Sequence, residues 1–385
     1  MRITWVTRSF LDYRIPVYKA LDDLCGHNLT VIYNGDVVPQ RCIAKIQRVL
    51  GNRAIGMNGE LRIGNRNQLG VANKGIRIPI QRGLIRTIKE TKPDVVVSDG
   101  FFQWTYAPLW LRFRKWKDIR HVMCYEKTLH TERNAAKWRI QYRRLVSKWI
   151  DAIDCNGQLT AEFILTKIKF KKSLTYGHMA ADTYGISNNV KNVSDSQLEI
   201  IRKKHQLQSL TFIYVGRLIP LKGIMELLKA WKDAALEDAT LMLVGDGHQK
   251  QEILDYIGNN RLDNVKVVGA VNYDDLGPYY KAADCFIIPT LEDNWSLVVP
   301  EAMAAGLPIA CSIYNGCHPE LVKPENGWTF DPLDTADMAT TLKTISASRT
   351  RLENMGEESR RIVENHTPQH AAQGIYDACL KAINS

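Results

Sequence analysis

Long hydrophobic runs, paired cysteines and metal-binding motifs are all missing from this sequence. No apolar run approaches the ~20 residues that a membrane-spanning helix requires. The eight cysteines are scattered without a Cys-x-x-Cys pair, and no Asp-x-Asp motif occurs, which argues against a metal cluster. Met1 to Arg8 is too short and too broken by charge for a signal peptide. We therefore expect reduced thiols, a cytoplasmic location and no metal or other cofactor.

Basic and acidic residues are shared unevenly between the two halves of the chain. Residues 1–190 contain 32 Lys and Arg but only 15 Asp and Glu. The remaining residues contain 19 Lys and Arg and 26 Asp and Glu. Together the two halves give the chain its net charge of +10. The basic half is therefore expected to face an anionic partner, such as a membrane surface or a phosphorylated lipid. Nucleic acid is not expected, because no nucleic-acid-binding motif occurs. A solvated basic face without a partner is an equal alternative.

Strand and helix patterns alternate along the 385 residues, a length that predicts two domains. In the first half, Arg2–Thr7 and His27–Tyr33 have apolar strand patterns on either side of a helical pattern. In the second half, Thr240–Val244, Val265–Val268 and Cys285–Pro289 repeat at a regular pitch. This alternation predicts α/β domains with doubly wound parallel sheets.

A polar stretch without periodicity, Gly185 to Asp195, marks the expected boundary between the domains. We predict the first domain at residues 1–187 and the second at residues 188–365. Residues 38–83 are basic, with scattered Asn and Gly, and are expected to be partly loop.

The stretch from Leu291 to Gly306 combines two acids with a predicted helix start. It follows a buried strand, so Asp293 falls on a loop at the carboxyl end of that strand, where open α/β sheets bind ligands. Ser296 is placed to cap the next helix, with Glu301 about two turns inside it. A helix start suits an anion, and carboxylates accept hydrogen bonds from hydroxyls. A nucleotide sugar carries both kinds of group.

A loop with two cations precedes this stretch. A β-rich run ends at Gly216, Arg217 and Lys222 follow, and a helix begins near Gly223. Two cations beside a helix start predict a clamp for a diphosphate. An ordinary loop with two surface cations is the alternative, and it is weakened by the two acids at the expected distance downstream.

These motifs resemble the donor site of family-4 retaining glycosyltransferases of the GT-B fold (glycosyl transferases group 1). The resemblance lies in Gly-Arg-x4-Lys-Gly from Gly216 and in the two acids with seven residues between them, and it is close over residues 205–332. It implies an α/β GT-B fold, in which two Rossmann-like doubly wound domains face each other across a cleft. Residues 366–385 would form a helix that packs back on the first domain. Asp293 stands where the family usually has Glu.

The resemblance also implies a metal-independent transfer of sugar from a nucleotide diphosphate donor to an acceptor hydroxyl, with retention of configuration. Arg217 and Lys222 would stabilise the leaving diphosphate, Glu301 would hold the ribose, and Asp293 would hold the transferred sugar. The implied donor-binding set is Gly216, Arg217, Lys222, Val271, Asp293, Asn294, Trp295, Ser296, Leu297 and Glu301.

The acceptor side is predicted in the first domain. The family's first loop is often glycine-rich, whereas this chain has Arg8, Tyr13 and Arg14, which suggests a different acceptor surface that contacts phosphate. Surface placement of Arg14 beside a helix cap is the alternative. Glu126 and His130 follow a predicted strand, and either could act as base or orienting group. Each could equally be a solvated or capping residue.

Two predicted helices, Gln103–Lys117 and Asn134–Ile150, combine tryptophan with Lys and Arg. This combination is typical of helices at a lipid headgroup layer, although core aromatics with an exposed basic face are the alternative. We therefore predict a peripheral membrane enzyme that glycosylates a lipid-linked or growing glycan in polysaccharide or lipopolysaccharide assembly. The alternatives are a non-catalytic nucleotide-sugar-binding protein and a nucleotide-sugar isomerase of the same fold.

Overall fold

The computed structural model describes residues 1–63, 78–177 and 179–385. This part of the chain divides into two compact units. Unit 1 contains Met1–Ala180 and Thr367–Ser385, and unit 2 contains Ala181–His366. All eight cysteines are free and buried. No helix in the described ranges is both long and apolar enough to cross a membrane.

Unit 1 is built around a parallel sheet whose strands alternate with helices. Its elements are β1 (Ile3–Thr7), α1 (Arg14–Leu24), β2 (Leu29–Asn34), α2 (Gln40–Leu50), β3 (Ala54–Met57), β4 (Leu61–Ile63), β5 (Ile78–Ile80), α3 (Leu84–Glu90), β6 (Val95–Asp99), α4 (Tyr106–Phe113), β7 (Arg120–Tyr125), α5 (Lys137–Val146), β8 (Ala152–Cys155), α6 (Gln158–Phe163) and β9 (Ser173–Tyr176). The described strands form a sheet in the order β3-β2-β1-β6-β7-β8-β9 and an antiparallel β4–β5 pair. The order reverses at β1, as in a Rossmann-like sheet.

Both faces of this sheet are covered, because successive residues of a strand point to opposite faces. Val95 and Val97 of β6 belong to the core cluster that includes α1 and α2, whereas Val96 belongs to the cluster that includes α3 and α4. Burial on both faces explains why the central strands read as continuous apolar runs and not as alternating patterns.

The stretch at residues 38–83 is less loop-like than expected, because it contains α2 and β3. Cys42, Ile46 and Leu50 recur every four residues and are buried, so α2 has an apolar face that its basic residues obscure in the sequence. Residues 64–77 of this stretch lie outside the described residues.

Unit 2 has the predicted doubly wound parallel sheet. Its elements are α7 (Thr183–Lys191), α8 (Asp195–His205), β10 (Leu210–Val215), α9 (Ile224–Ala234), β11 (Ala239–Val244), α10 (Lys250–Asn259), β12 (Val265–Gly269), α11 (Gly277–Lys281), β13 (Cys285–Ile288), α12 (Val298–Ala304), β14 (Ile309–Ser312), α13 (His318–Leu321), β15 (Gly327–Phe330), α14 (Thr335–Ala347) and α15 (Leu352–Val363). The strand order is β12-β11-β10-β13-β14-β15. The order reverses between β10 and β13, and such a switch point opens a ligand crevice at the carboxyl ends of the strands.

The boundary between the units differs from the prediction. Gly185 to Lys191 is not a linker but part of α7, and the units divide at Ala180. The Asp182 side chain accepts a hydrogen bond from the Gly185 N–H, which caps this helix, and Ile186 and Val190 are buried on one face. Two buried apolar residues give α7 too weak a helical pattern of hydrophobicity for the helix to be predicted from this polar stretch.

The C-terminal helix, α16 (Pro368–Ile383), belongs to unit 1. It packs against α1 and against β7, β8 and β9. Small residues face the sheet, and Gly374 lies so close that a Cβ there would be 2.3 Å from the Tyr176 carbonyl oxygen. Only glycine permits this approach of the helix to the end of β9.

Candidate active site

The loops after β10 and β13 meet at the switch point of unit 2. Gly223 ends the first loop with φ +68°, and a Cβ at this position would lie 2.0 Å from the Pro289 carbonyl oxygen. A side chain cannot occupy that space, so glycine lets the two loops touch. The contact places Lys222 of the first loop beside Asp293 of the second.

Lys222 and Asp293 form an ion pair between Nζ and Oδ2. Their side chains are only 16% and 17% exposed. Ser296 Oγ donates to Asp293 Oδ2 at 2.5 Å, and the Trp295 N–H donates to Oδ1 at 3.1 Å. Burial would raise the pKa of Asp293, but Lys222 and these donors outweigh burial and lower it. Asp293 is therefore held as a carboxylate, and Lys222 is its counter-ion.

Two details of the second loop differ from the sequence prediction. Ser296 does not cap the helix, because its hydroxyl is bonded to Asp293 and α12 begins at Val298. Glu301 is the fourth residue of α12, so it lies one turn inside the helix and not two. Glu301 is thus closer to the loop than the sequence suggests.

Glu301 is buried, and its environment favours the protonated form. Burial raises the pKa of Glu301 to about 8, with a further contribution from the charge of Asp182, while Tyr280 and Tyr273 act in the opposite direction. A buried carboxyl with a pKa near neutrality can change its charge when a ligand donates hydrogen bonds to it.

Asn315 is a supporting residue that the sequence reasoning did not single out. Its Oδ1 accepts hydrogen bonds from the N–H groups of Ser296 at 3.3 Å and Cys317 at 3.4 Å. A Cβ on the next residue, Gly316, would be 1.8 Å from the Asn294 carbonyl oxygen. Asn315 and Gly316 thus support the Asp293 loop through contacts with Ser296 and Asn294. The Asn-Gly pair is the sequence signal that could have indicated this supporting role.

The remaining predicted donor residues line the same edge of unit 2. Gly216 follows β10 with φ +155°, and Arg217 beside it is exposed. Val271 follows β12 and is half-buried, as are Asn294 and Leu297. Trp295 is buried, and its Nε1 has no hydrogen-bond partner within the described chain. Among the described residues, no group of three or more His, Cys, Asp or Glu is placed to hold a metal.

The residues predicted for the acceptor follow β1 in unit 1. The Arg8 guanidinium is bound by Glu60, with Nε 2.6 Å from Oε2 and Nη2 2.7 Å from Oε1. Arg14 is buried in α1, with its guanidinium carbon 5.3 Å from the centroid of the Trp5 ring. Burial would lower the pKa of Arg14, but Asp99, Tyr18, Tyr13 and Cys124 together outweigh burial, and the pKa is raised. Arg8 and Arg14 therefore both lie beside carboxylates.

Glu126 and His130 are separated by the turn that follows β7. Glu126 is the exposed residue after β7, whereas His130 is half-buried in a turn closed by Thr128 and Thr131. Glu126 lies close enough to Tyr13 to contribute to the raised pKa of its phenol, which burial causes first. Glu126 thus lies on the side of the predicted acceptor residues.

The family comparison agrees with the motifs of unit 2. Residues 197–362 match the family model described as glycosyl transferases group 1. Sulfoquinovosyl transferase SQD2 of Arabidopsis thaliana is 31% identical over 159 residues, which cover 40% of this chain and 30% of that protein. An uncharacterized glycosyltransferase of Haemophilus influenzae is 24% identical over 315 residues, which cover 78% of this chain and 80% of the relative. The chain thus spans under a third of the Arabidopsis protein.

Solved structures extend the likeness to the whole fold. A glycosyltransferase of Rickettsia africae ESF-5 has a TM-score of 0.75 at 14% identity and covers 100% of this chain and 99% of its own. Anabaena Alr3699/HepE in complex with UDP has a TM-score of 0.72 at 15% identity, with 98% and 99% covered. The predicted resemblance to group 1 glycosyl transferases and the GT-B fold are both confirmed.

Proposed function

We propose that this chain is a retaining glycosyltransferase that moves a sugar from a nucleoside diphosphate sugar to a hydroxyl group of an acceptor. The observation that carries the proposal is the meeting of the Lys222 loop with the Asp293 loop at the switch point of unit 2, with Glu301 buried one turn further on. Cations and carboxylates are then available side by side for a ligand that has phosphates and hydroxyls.

Each charged group has a separate task in this proposal. Negative charge builds on the diphosphate as the glycosidic bond breaks, and Arg217 and Lys222 stabilise it. When the donor binds, Lys222 shares its charge between the phosphate and Asp293, and Asp293 accepts hydrogen bonds from hydroxyls of the transferred sugar. Glu301 accepts hydrogen bonds from the ribose. The two cations supply the charge that a metal supplies in metal-dependent transferases, so we propose that none is required.

Product analysis tests the transferase directly. The full chain is incubated with sugars linked to UDP, GDP, ADP and dTDP, with a lipid extract as acceptor, and release of nucleoside diphosphate is measured. UDP is tested first, because Anabaena Alr3699/HepE binds it. The anomeric proton of the product reports retention by NMR. Binding of a nucleotide sugar without any release would instead favour a non-catalytic binding protein, and an altered free nucleotide sugar would favour an isomerase.

Donor binding is expected to release a proton near neutral pH. Hydroxyls that donate to Glu301 stabilise its carboxylate, so its pKa falls from about 8 on binding. Because the bound state prefers the charged form, affinity should rise with pH up to about 8, at most tenfold per pH unit, and then level off. Calorimetric titration of UDP-glucose in buffers of different ionisation enthalpy measures the number of protons released on binding. UDP-glucose has no group that titrates near neutral pH, so the released proton comes from the protein.

The control for the proton measurement is Glu301→Gln, which has the same shape but cannot ionise. Its binding should be weaker, independent of pH over the same range and without proton release. Proton uptake by the wild type, or equal release by the variant, would contradict the role of Glu301.

We further propose that unit 1 contacts a membrane through a basic aromatic surface, which presents a lipid-linked acceptor. We define this surface as Trp110, Phe113, Arg114, Lys115 and Lys148, which are all exposed. Trp110 and Phe113 are 50% and 53% exposed and lie in ring contact with centroids 5.9 Å apart. Exposed aromatic rings beside cations suit the headgroup layer of an anionic bilayer. Trp104, which the sequence grouped with them, is buried and donates to Glu60 at 2.9 Å.

The double variant Trp110→Ser/Phe113→Ser is expected to bind phosphatidylglycerol vesicles at least about tenfold more weakly, because two half-exposed rings no longer enter the headgroup layer. Sedimentation with vesicles measures the loss. Leu333→Ser, at a 64% exposed leucine of unit 2, is the matched control and should bind like the wild type. Equal binding by all three proteins would refute the membrane contact.

A further inference from the structure

The loop between β10 and α9, which we call the clamp loop (residues 216–223), is held from both sides. Strands β11 and β13 lie on either side of β10, so the loops that follow them flank the clamp loop. On the β11 side, the Leu218 N–H donates to the Asp246 carbonyl oxygen at 2.9 Å. A Cβ on Gly247 would lie 2.1 Å from the Leu218 carbonyl oxygen, so glycine permits this close approach.

On the β13 side, the hydroxyl of Thr290 holds the clamp loop. Thr290 is fully buried, and its Oγ1 donates to the Leu221 carbonyl oxygen at 2.9 Å. The Leu291 N–H donates to the same oxygen at 2.9 Å. At the other end of this peptide group, the Lys222 N–H donates to the Ile219 carbonyl oxygen at 2.9 Å. Because a peptide group is planar, hydrogen bonds at both of its ends fix its orientation next to Lys222.

The hydroxyl of Tyr214 fixes the peptide group that follows Arg217. Tyr214 is fully buried in β10, and its Oη donates to the Arg217 carbonyl oxygen at 2.9 Å. The other end of this peptide group is the Leu218 N–H, which is bonded to Asp246. A Cβ on Gly216 would lie 2.7 Å from Tyr214 Oη, so glycine leaves room for the contact. Burial raises the pKa of the Tyr214 phenol, which keeps its proton and stays a donor.

The two hydroxyls thus act on the peptide groups next to the two cations of the clamp loop. The orientation of the flanking peptide groups sets the direction in which a side chain leaves the backbone. Cations that stabilise a developing charge act best when the protein holds them in place beforehand. Tyr214 and Thr290 are both fully buried side chains of unit 2, so they can provide this support without touching the ligand.

We infer that Thr290 and Tyr214 are positioning residues that orient the two cations of the clamp loop for diphosphate binding. This inference rests on the proposed donor site and adds two residues that act on it through the backbone. Thr290 also couples the two loops of the site, because it lies between β13 and Asp293 and bonds to the clamp loop. Loss of either hydroxyl should therefore weaken diphosphate binding although no charge is removed.

Two substitutions separate the hydroxyl of Thr290 from the packing of its side chain. Thr290→Val keeps the shape but loses the hydroxyl, and a methyl group cannot approach the Leu221 oxygen as closely as a hydroxyl does. Thr290→Ser keeps the hydroxyl but loses a buried methyl group, which should lower the stability in urea. If Thr290 positions the clamp loop, affinity falls in Thr290→Val and stays near the wild-type value in Thr290→Ser. A purely structural role predicts that affinity follows stability instead.

Binding is measured by calorimetric titration on the full chain, with UDP, GDP, ADP and dTDP and the matching nucleoside monophosphates. For a diphosphate that binds the wild type, we expect Thr290→Val and Tyr214→Phe each to weaken the affinity about fivefold, the usual effect of one hydrogen bond. The monophosphate should lose less affinity, because it has one phosphate fewer for the two cations.

Thr240→Val is the matched control for the loss of a buried hydroxyl. Thr240 is fully buried in β11 of the same sheet but near the start of the strand, at the edge opposite the switch point. Its Oγ1 accepts a hydrogen bond from the Gln208 N–H at 3.0 Å. This variant should lose stability in urea and keep the diphosphate affinity of the wild type.

Two results would overturn the inference. Wild-type affinity in Thr290→Val or in Tyr214→Phe would overturn it for that residue. Equal weakening by Thr290→Val, Thr290→Ser and Thr240→Val would show that affinity follows stability and would overturn it altogether. The readout needs no turnover, so it is separate from the proposed transfer. A chain whose diphosphate affinity follows these hydroxyls but that never transfers a sugar would refute the transferase alone.

Discussion

Lys222→Ala is expected to lower the turnover number for sugar transfer by about 10²–10³-fold, the usual cost of losing one group that stabilises charge in a transition state. Lys222 is the cation that Gly223 brings against the Asp293 loop. Its loss removes a positive charge that would stabilise the leaving diphosphate, while Asp293 keeps its hydrogen bonds from Ser296 and Trp295. Steady-state release of nucleoside diphosphate measures the effect.

The matched control for this experiment is Lys229→Ala, at an exposed lysine on α9 in the same unit. It should keep wild-type turnover. Thermal unfolding of both variants shows whether the fold is intact, so that loss of activity in Lys222→Ala is not loss of structure. Wild-type turnover in Lys222→Ala would contradict the proposal that Lys222 stabilises the leaving diphosphate.

Arg143→Ala is expected to lower the free energy of unfolding by about 3–5 kcal/mol, because it leaves a buried carboxylate without its counter-ion. Arg143 is 2% exposed, and its Nη1 lies 2.6 Å from Oε2 of Glu132, which is also buried. The guanidinium also lies near the rings of Phe102, at 5.3 Å, and Phe163, at 5.5 Å. Urea unfolding followed by circular dichroism measures the loss.

Two further variants separate the charge effect from packing. Arg143→Leu combined with Glu132→Leu removes both charges and should recover much of the stability lost in Arg143→Ala, because no unpaired charge stays buried. Lys19→Ala breaks an ion pair whose side chains are 64% and 49% exposed, and should cost less than about 1 kcal/mol. If the double leucine variant were no more stable than Arg143→Ala, packing and not charge would explain the loss.

The sequence predicts which loops meet at the switch point of unit 2 better than it predicts the contacts of the charged residues in unit 1, and the reason is local geometry. Gly216, Arg217 and Lys222 follow directly after one strand, and Asp293 follows another, so the pattern of strands alone brings them to one edge. The ion pair of Lys222 and Asp293 was not predicted. It depends on the close approach at Gly223, and no sequence pattern reports the distance between two loops.

The first unit is harder to predict because its charged residues pair across long sequence distances. Glu60, which binds Arg8 and Trp104, lies in a stretch without a readable pattern. Arg143 belongs to a helix that reads as an exposed basic surface, yet its side chain is among the most buried of the unit.

The most direct test of the central claim is calorimetric titration of UDP, GDP, ADP and dTDP into the wild type, Lys222→Ala and Lys229→Ala. The account predicts that at least one nucleoside diphosphate binds the wild type and Lys229→Ala equally, and binds Lys222→Ala at least about tenfold more weakly. Absence of binding by every nucleotide, or equal affinity in all three proteins, would contradict a donor site at the switch point of unit 2.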